Sequence, residues 1–165
     1  MNEYYRHMKT LSIRFTKLVA EALGLDEDAF EALQEADVAQ RQLRCKLLRY
    51  SACPPPTTGF VPHTDSNFLT YLIQAFEEPG LQFQTPSGDW YAAPPIPGTF
   101  IVLLGRVQVM EKVTHNLVKA PIHRVMSPTN GVHHCVGFFQ GVSMDMRVVD
   151  AKFECLLLLS ASFAS

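Results

Sequence analysis

The sequence predicts a mainly β fold, a sandwich or barrel, with α-helices packed on it at the N-terminal end. From residue 60 onward, short apolar runs alternate with turn signals, which is the pattern of a sandwich or barrel. Over residues 3–33, apolar residues instead recur at three- and four-residue steps, the period of an amphipathic helix. With 165 residues, the chain is one domain or part of one.

The first helix is predicted to cover residues 3–23 and to end at Gly24, a residue type favoured just past a helix C-terminus. Asp26 is predicted to cap a second helix that carries Phe30 and Leu33 on one side. The apolar face predicted for the first helix consists of Tyr4, Met8, Leu11, Phe15, Leu18 and Ala22.

The β region begins with a strand over residues 44–50, followed by the loop of Pro54, Pro55 and Pro56, since proline cannot lie inside a sheet. Asn130-Gly131 is typical of a hairpin turn, and it is predicted to join the strand that holds His123 to the next strand. The other predicted strands cover residues 68–74, 81–84, 90–91, 99–104 and 132–139.

The composition excludes several classes of function. The apolar fraction of 47% supports a sizeable core, and a net charge of -2 gives no indication of a nucleic-acid partner. The basic residues Arg41, Arg44 and Lys46 form either a basic patch or, as the simpler interpretation, a solvated face. The sequence contains neither G-x-G-x-x-G nor a P-loop, so it offers no support for nucleotide chemistry.

Targeting signals and cysteine spacing predict a cytoplasmic protein without a membrane partner. The N-terminus lacks the basic and apolar segments of a signal peptide, and no apolar run is long enough to span a bilayer. Cysteines occur at 45, 53, 135 and 155 without a C-x-x-C pair, which argues against a structural zinc site. Reduced, mostly buried thiols are therefore expected.

A candidate metal site consists of His63, Asp65 and His123. His63 and Asp65 are two residues apart, so on a β-strand they would point to the same face, and His123 could join them from another strand. Two histidines and one carboxylate with open positions suit non-haem Fe(II) and O₂ chemistry. A His-x-Asp pair alone is weak support, because such pairs are also common on surfaces and in turns.

Several motifs occur in a characteristic order. The most specific is the stretch from Gly88 to Phe100, a G-x-W followed by a Pro-rich turn that ends in P-G-x-F. The others are the Y-x-x-C-P of Tyr50 to Pro54, the P-H-x-D of Pro62 to Asp65, the H-R-V of His123 to Val125 and the pair Phe138-Phe139. With these motifs, residues 4–148 resemble the C-terminal catalytic part of the isopenicillin-N-synthase-like 2-oxoglutarate/Fe(II) oxygenases.

The resemblance implies a double-stranded β-helix, or jelly roll, that holds Fe(II) through His63, Asp65 and His123. It also implies 2-oxoglutarate as co-substrate, O₂ as oxidant, and a small molecule that is hydroxylated, desaturated or cyclised. Tyr50 occupies a position that contacts the 2-oxoglutarate carboxylate in this family. Arg124 should point to the opposite face of its strand from His123.

The co-substrate site departs from the family pattern. The family holds the distal carboxylate of 2-oxoglutarate with an R-x-S motif, and His133 and Cys135 occupy those positions here, while Leu48 replaces an asparagine. Arg binds a carboxylate through a rigid, permanently charged fork, whereas His offers fewer donors and Cys is a weaker donor than Ser. Either the protein uses 2-oxoglutarate weakly, or uses another co-substrate or an acidic substrate directly, or the site is degraded. Arg106 or Arg147 could supply a replacement cation, although each is more simply a surface residue.

The predicted domain organisation is an oxygenase-like domain over residues 1–150, without the family's N-terminal region, followed by an atypical tail over residues 151–165. The alternative function is that of a truncated, catalytically silent jelly roll that binds at most a metal or a partner. A monomer is expected. Sheet edges left open by missing strands would favour self-association.

Overall fold

The computed structural model describes residues 2–31, 42–75, 78–106, 110–111, 114 and 116–143, so the predicted tail over residues 151–165 lies outside the described residues. Within these ranges, one helix precedes eight strands. They are α1 (Asn2–Ala22), β1 (Leu43–Ser51), β2 (Thr58–His63), β3 (Leu69–Ala75), β4 (Leu81–Gln84), β5 (Trp90–Ala92), β6 (Ile101–Leu104), β7 (His123–Met126) and β8 (Val132–Gln140).

The strands form two antiparallel four-stranded sheets, in the orders β1-β8-β3-β6 and β2-β7-β4-β5. The chain passes repeatedly from one sheet to the other, as it does in a jelly roll. Apolar residues of both sheets pack against one another in one cluster, which places the sheets face to face: Leu72, Leu81, Leu103, Val125 and Cys135. The prediction of a mainly β, jelly-roll fold is confirmed.

The predicted hairpin at Asn130-Gly131 is wrong. Gly131 has the left-handed φ of 72° that a tight turn needs, but β7 pairs with β2 and β4, whereas β8 pairs with β1 and β3. The connection between β7 and β8 crosses between the sheets and bonds to the loop after β1, where Ala52 N–H donates to the Gly131 carbonyl at 3.1 Å. Turn chemistry alone cannot distinguish a hairpin from such a crossing.

Helix α1 packs on the outer face of the first sheet, and the predicted apolar face is only partly correct, because Tyr4, Met8 and Phe15 pack against the core. Leu11 and Leu18 are 37% and 56% exposed. The residues that the helix buries follow one four-residue stripe: Met8, Ser12, Thr16 and Ala20. The helix ends as predicted, because Gly24 has a φ of 70° and the N–H of Leu25 bonds to the Ala20 carbonyl at 3.0 Å.

Hydrogen bonds explain why polar residues lie in this stripe. Gln140, which is 1% exposed, donates to Thr16 Oγ1 at 2.9 Å and accepts from the Tyr71 hydroxyl at 3.0 Å. Thr16 in turn donates to the Ser12 carbonyl at 2.8 Å. The small hydroxyl side chains allow the helix to approach the sheet and satisfy the buried Gln140 amide.

Two further predictions can be compared with the structure. The helix expected from Asp26 is not formed over residues 27–30, where the chain makes turns, and Leu33 lies outside the described residues. Cys45, Cys53 and Cys135 are free, as predicted, but Cys53 is exposed because it lies in the loop after β1. No helix within the described ranges combines the length and the apolar character needed to cross a bilayer.

Candidate metal centre

His63, Asp65 and His123 converge at one end of the space between the sheets. One potential ligand atom from each lies within 4.8 Å of the other two. Asp65 Oδ1 is 3.6 Å from His63 Nε2 and 3.8 Å from His123 Nε2. These separations are too long for hydrogen bonds, but they suit three donor atoms around one metal ion.

Strand pairing brings the two histidines together. His63 is the last residue of β2 and His123 is the first residue of β7, and the two are paired across the ladder. Asp65 does not lie on the strand with His63, as the two-residue spacing suggested, but in the loop that follows it. This loop is fixed at its backbone, because the N–H of Arg106 donates to the Asp65 carbonyl at 2.6 Å.

Both imidazoles are oriented through Nδ1. His63 Nδ1 lies 2.8 Å from the Val61 carbonyl, and His123 Nδ1 lies 3.2 Å from the Pro121 carbonyl. A carbonyl can only accept, so each Nδ1 carries a hydrogen, and each Nε2 is the ring nitrogen that faces Asp65. Burial lowers the pKa of His123 below its usual value. A lower pKa favours the neutral imidazole, which is the form that binds metals.

Thr70 on β3 supports the Asp65 carboxylate from the side away from the histidines. The fully buried Thr70 hydroxyl donates to Asp65 Oδ2 and accepts from Asn67 Nδ2 at 2.8 Å. Gly105 lets the neighbouring backbone approach, because a Cβ there would lie 1.7 Å from the Asn67 carbonyl oxygen. The carboxylate is therefore held in place without a metal.

Replacing Thr70 with valine is expected to weaken Fe(II) binding about tenfold, because the isosteric side chain removes the hydrogen bond that orients the carboxylate. Anaerobic calorimetry of the variant measures this change. Thr70→Ser is the matched control, since it keeps the hydroxyl and should keep most of the affinity. Equal Fe(II) affinities of the Val and Ser variants would show that Thr70 does not position Asp65.

The three metal-site residues line a cavity of about 280 Å³ between the sheets. Tyr50, His133 and Cys135, the residues expected to contact the co-substrate, line the same cavity. On the paired strands β1 and β8, Tyr50 lies opposite His133, and Leu48 lies opposite Cys135. The structure therefore brings all six sequence-derived site residues to one space.

His133 and Cys135 provide no permanently charged group at the co-substrate positions. His133 is 1% exposed, and its Nδ1 donates to the Glu78 carbonyl at 2.6 Å, while its ring lies 5.7 Å from that of Tyr50. Burial raises the pKa of the Cys135 thiol to about 11 and raises the pKa of the Tyr50 phenol. Both groups are therefore protonated near neutral pH, and neither is a fixed cation that could pair with a carboxylate.

The arginines considered as replacement cations do not line this cavity where they are described. Arg106 is exposed, and Arg147 lies outside the described residues. Arg124 lies on the opposite side of β7 from His123, as predicted, because its Nε donates to Gln82 at 2.8 Å and its guanidinium lies 4.0 Å above the Trp90 ring.

Lys46 and Gln74 also line this cavity, and neither was predicted from the sequence to do so. Gln74 Nε2 donates to the Ala93 carbonyl at 2.8 Å, and its buried Oε1 has no hydrogen-bond partner within the described ranges. The β-strand alternation from Tyr50 back to Lys46 is the signal that could have indicated that Lys46 shares the cavity face.

A jelly roll that brings two histidines and one carboxylate together between its sheets has the structure of a non-haem Fe(II) oxygenase. The sequence profile of the 2OG-Fe(II) oxygenase superfamily matches residues 39–144. The chain belongs to this superfamily.

Similar proteins extend this finding. The chain is 38% identical to the 2-oxoglutarate-dependent dioxygenase frbJ of Dothideomycetidae sp. strain 11243, over 93% of this chain and 41% of that protein. It is 30% identical to gibberellin 3-beta-dioxygenase 1 of Arabidopsis thaliana, over 90% of this chain and 41% of that protein. A crystal structure of JOX2 in complex with 2OG, Fe and JA superposes with a TM-score of 0.77 at 27% identity, and the match covers 87% of this chain and 41% of that one. The chain thus spans about two fifths of the length of these relatives.

Proposed function

We propose that this protein is a non-haem Fe(II)- and 2-oxoglutarate-dependent oxidoreductase that uses O₂ to hydroxylate, desaturate or cyclise a small molecule. The single observation that carries the proposal is the convergence of His63, Asp65 and His123, whose donor atoms lie within 4.8 Å of one another. The donor set is that of non-haem Fe(II) oxygenases, and membership of the superfamily supports the same metal.

Each residue has a distinct role in this proposal. His63 and His123 would bind the metal through Nε2 and Asp65 through its carboxylate, each already oriented by its own hydrogen bonds. Fe(II) with 2-oxoglutarate would supply the activation of O₂, with 2-oxoglutarate converted to succinate and CO₂. The cavity walls would exclude water from the reacting atoms through apolar side chains, Leu48, Leu72, Leu81 and Val125.

The co-substrate would be held in part by unusual contacts. The Tyr50 hydroxyl can donate to a carboxylate, but His133 and Cys135 would replace the permanently charged fork of an arginine with fewer and weaker donors. Because a bidentate, charge-assisted pair is about twice as strong as a neutral hydrogen bond, we expect weaker 2-oxoglutarate binding than an R-x-S motif would give.

Succinate formation tests the proposal. The Fe(II)-loaded chain is incubated in air with 2-oxoglutarate and ascorbate, and succinate is quantified against Asp65→Ala and against buffer containing Fe(II). Succinate production by the unmodified chain, and its absence in the variant, is the expected result. If neither protein forms more succinate than the buffer, the proposed turnover is wrong for this chain.

A second candidate function is that of a catalytically silent jelly roll that binds a metal or a partner. The observation that favours it is that His133 and Cys135, neither of which is permanently charged, line the cavity at the positions expected to contact the co-substrate. The two candidates differ in one measurable property. A silent protein would bind Fe(II) with the same three residues, yet 2-oxoglutarate would add no heat to the metal-loaded chain in a calorimeter.

We further propose that residues 1–150 form the oxygenase-like domain, that residues 151–165 are a separate tail, and that the protein is a cytoplasmic monomer without a nucleic-acid or membrane partner. A net charge of -2 and the free thiols of Cys45, Cys53 and Cys135 support this proposal. Exposed sheet edges would favour self-association instead. Light scattering of the purified chain measures the oligomeric state.

A further inference from the structure

The mouth of the cavity is positively charged on one side, although the metal centre beside it carries a carboxylate. Alternate residues of β1 face the space between the sheets, so Lys46 lies on the same face as Leu48 and Tyr50. A second cavity of about 240 Å³ adjoins the first and is lined by Arg44 as well as Lys46. Four residues line both cavities and connect them: Lys46, Asp65, Ser66 and Phe139.

Local packing directs Lys46 towards this junction. Its ammonium lies 5.0 Å from the centroid of the Phe139 ring, a cation–π contact that restrains a flexible side chain. Gly137, which lies opposite Lys46 on β8, leaves room for this ring, because a Cβ there would lie 2.7 Å from the Phe139 side chain. The lysine is nevertheless exposed, so an incoming anion can reach it.

These cations lack a matching anion at the junction. Of the described residues that line either cavity, Asp65 alone carries a carboxylate, and its Oδ1 lies 3.6 Å and 3.8 Å from the Nε2 atoms of His63 and His123. The hydrogen bond recorded for the Arg44 guanidinium goes to the neutral Gln42 side chain at 3.3 Å. Once a metal neutralises Asp65, the positive charge of Lys46 and Arg44 is available for a ligand.

We propose that Lys46, assisted by Arg44, forms a carboxylate subsite at the cavity mouth and that the substrate is an apolar organic acid. This inference rests on the proposed function, since it names the substrate class of the same metal centre. The four apolar residues that line the inner cavity, Leu48, Leu72, Leu81 and Val125, would contact the body of the acid. Its carboxylate would remain at the mouth, beside the ammonium.

A carboxylate could also come from 2-oxoglutarate, but the strand geometry favours the substrate. Tyr50 lies four residues along β1 from Lys46, which is about 13 Å at about 3.3 Å per residue, and His133 lies opposite Tyr50 on β8. A carboxylate held by Tyr50 therefore lies far from the lysine. The subsite is on the side of the metal centre that opens to solvent, where a second ligand can enter.

The test compares an acid with its uncharged amide. Binding of 4-phenylbutyrate and of 4-phenylbutyramide to the full chain loaded with Zn(II) and 2-oxoglutarate is measured by NMR titration. The unmodified chain should bind the acid about fivefold more tightly than the amide, the size of one partly exposed ion pair. Lys46→Gln should lose this preference. The control Arg49→Gln removes a β1 arginine whose recorded hydrogen bond is to Ser51, and it should keep the preference.

Each of three other outcomes would contradict the proposed carboxylate subsite. Equal binding of acid and amide by the unmodified chain would show that no carboxylate is recognised. A preference that persists in Lys46→Gln would place the carboxylate elsewhere, for example on the metal. A loss of 2-oxoglutarate affinity in Lys46→Gln would show that the lysine holds the co-substrate instead. A Zn(II) titration of every variant separates these results from a failed metal centre, which would contradict the proposed function itself.

Discussion

Replacing His123 with alanine is expected to lower the Fe(II) affinity of the chain by more than about a hundredfold, exceeding the loss caused by removing a supporting hydrogen bond. His123 is 4% exposed and its Nε2 lies 3.8 Å from Asp65 Oδ1, so a buried ligand is lost that no neighbouring water can replace well. Anaerobic calorimetry with Fe(II) measures the effect directly.

His7→Ala is the matched control for this experiment. His7 is an exposed histidine on α1 that lies 3.8 Å from Glu3, away from the metal centre. The control variant should bind Fe(II) like the unmodified chain, and circular dichroism should confirm that both variants are folded. Unchanged Fe(II) affinity in folded His123→Ala would refute the assignment of the metal centre.

Combining His133→Arg with Cys135→Ser is expected to raise 2-oxoglutarate affinity about tenfold or more. The double change replaces an imidazole and a thiol by a permanently charged guanidinium fork and a better hydroxyl donor, and a charge-assisted hydrogen bond contributes about 1.5–3 kcal/mol. Tyr50 lies opposite position 133 on the paired strand and would hold the same carboxylate. Calorimetry of the Fe(II)-loaded, oxygen-free variant with 2-oxoglutarate measures the gain.

The single substitutions are the controls for the double variant. Cys135→Ser alone should produce a small gain, since it changes only one neutral donor, and His133→Arg should produce most of the effect. A double variant that folds and binds Fe(II) normally but gains no 2-oxoglutarate affinity would mean that positions 133 and 135 do not limit co-substrate binding.

The sequence predicts the strands and the three converging side chains well, because both depend on local patterns. The short apolar runs match β3, β4, β6 and β8 to within about two residues. The metal-site residues lie within recognisable motifs, so their roles could be proposed although Asp65 lies in a loop and not on β2. Local patterns are sufficient to predict the metal-site residues, because the motifs that contain His63, Asp65 and His123 lie at or next to the ends of β2 and β7.

The predictions that are wrong concern features that depend on packing between distant parts of the chain. Asn130-Gly131 has the sequence of a hairpin, yet its neighbours in space are the residues after β1, which no local signal reveals. Thr16 is buried because Gln140, far along the chain, needs a hydroxyl partner. Lys46 is a different case, because the alternation of β1 back from Tyr50 could have indicated that it shares the cavity face.

An anaerobic calorimetric titration of the unmodified chain, with Fe(II) first and 2-oxoglutarate second, tests the central claim most directly. The account predicts that one equivalent of Fe(II) binds and that 2-oxoglutarate then binds only to the metal-loaded chain, because its keto acid would need the metal held by His63, Asp65 and His123. A chain that is folded yet binds no Fe(II), or that binds 2-oxoglutarate equally well without metal, would contradict an oxygenase centre at this site.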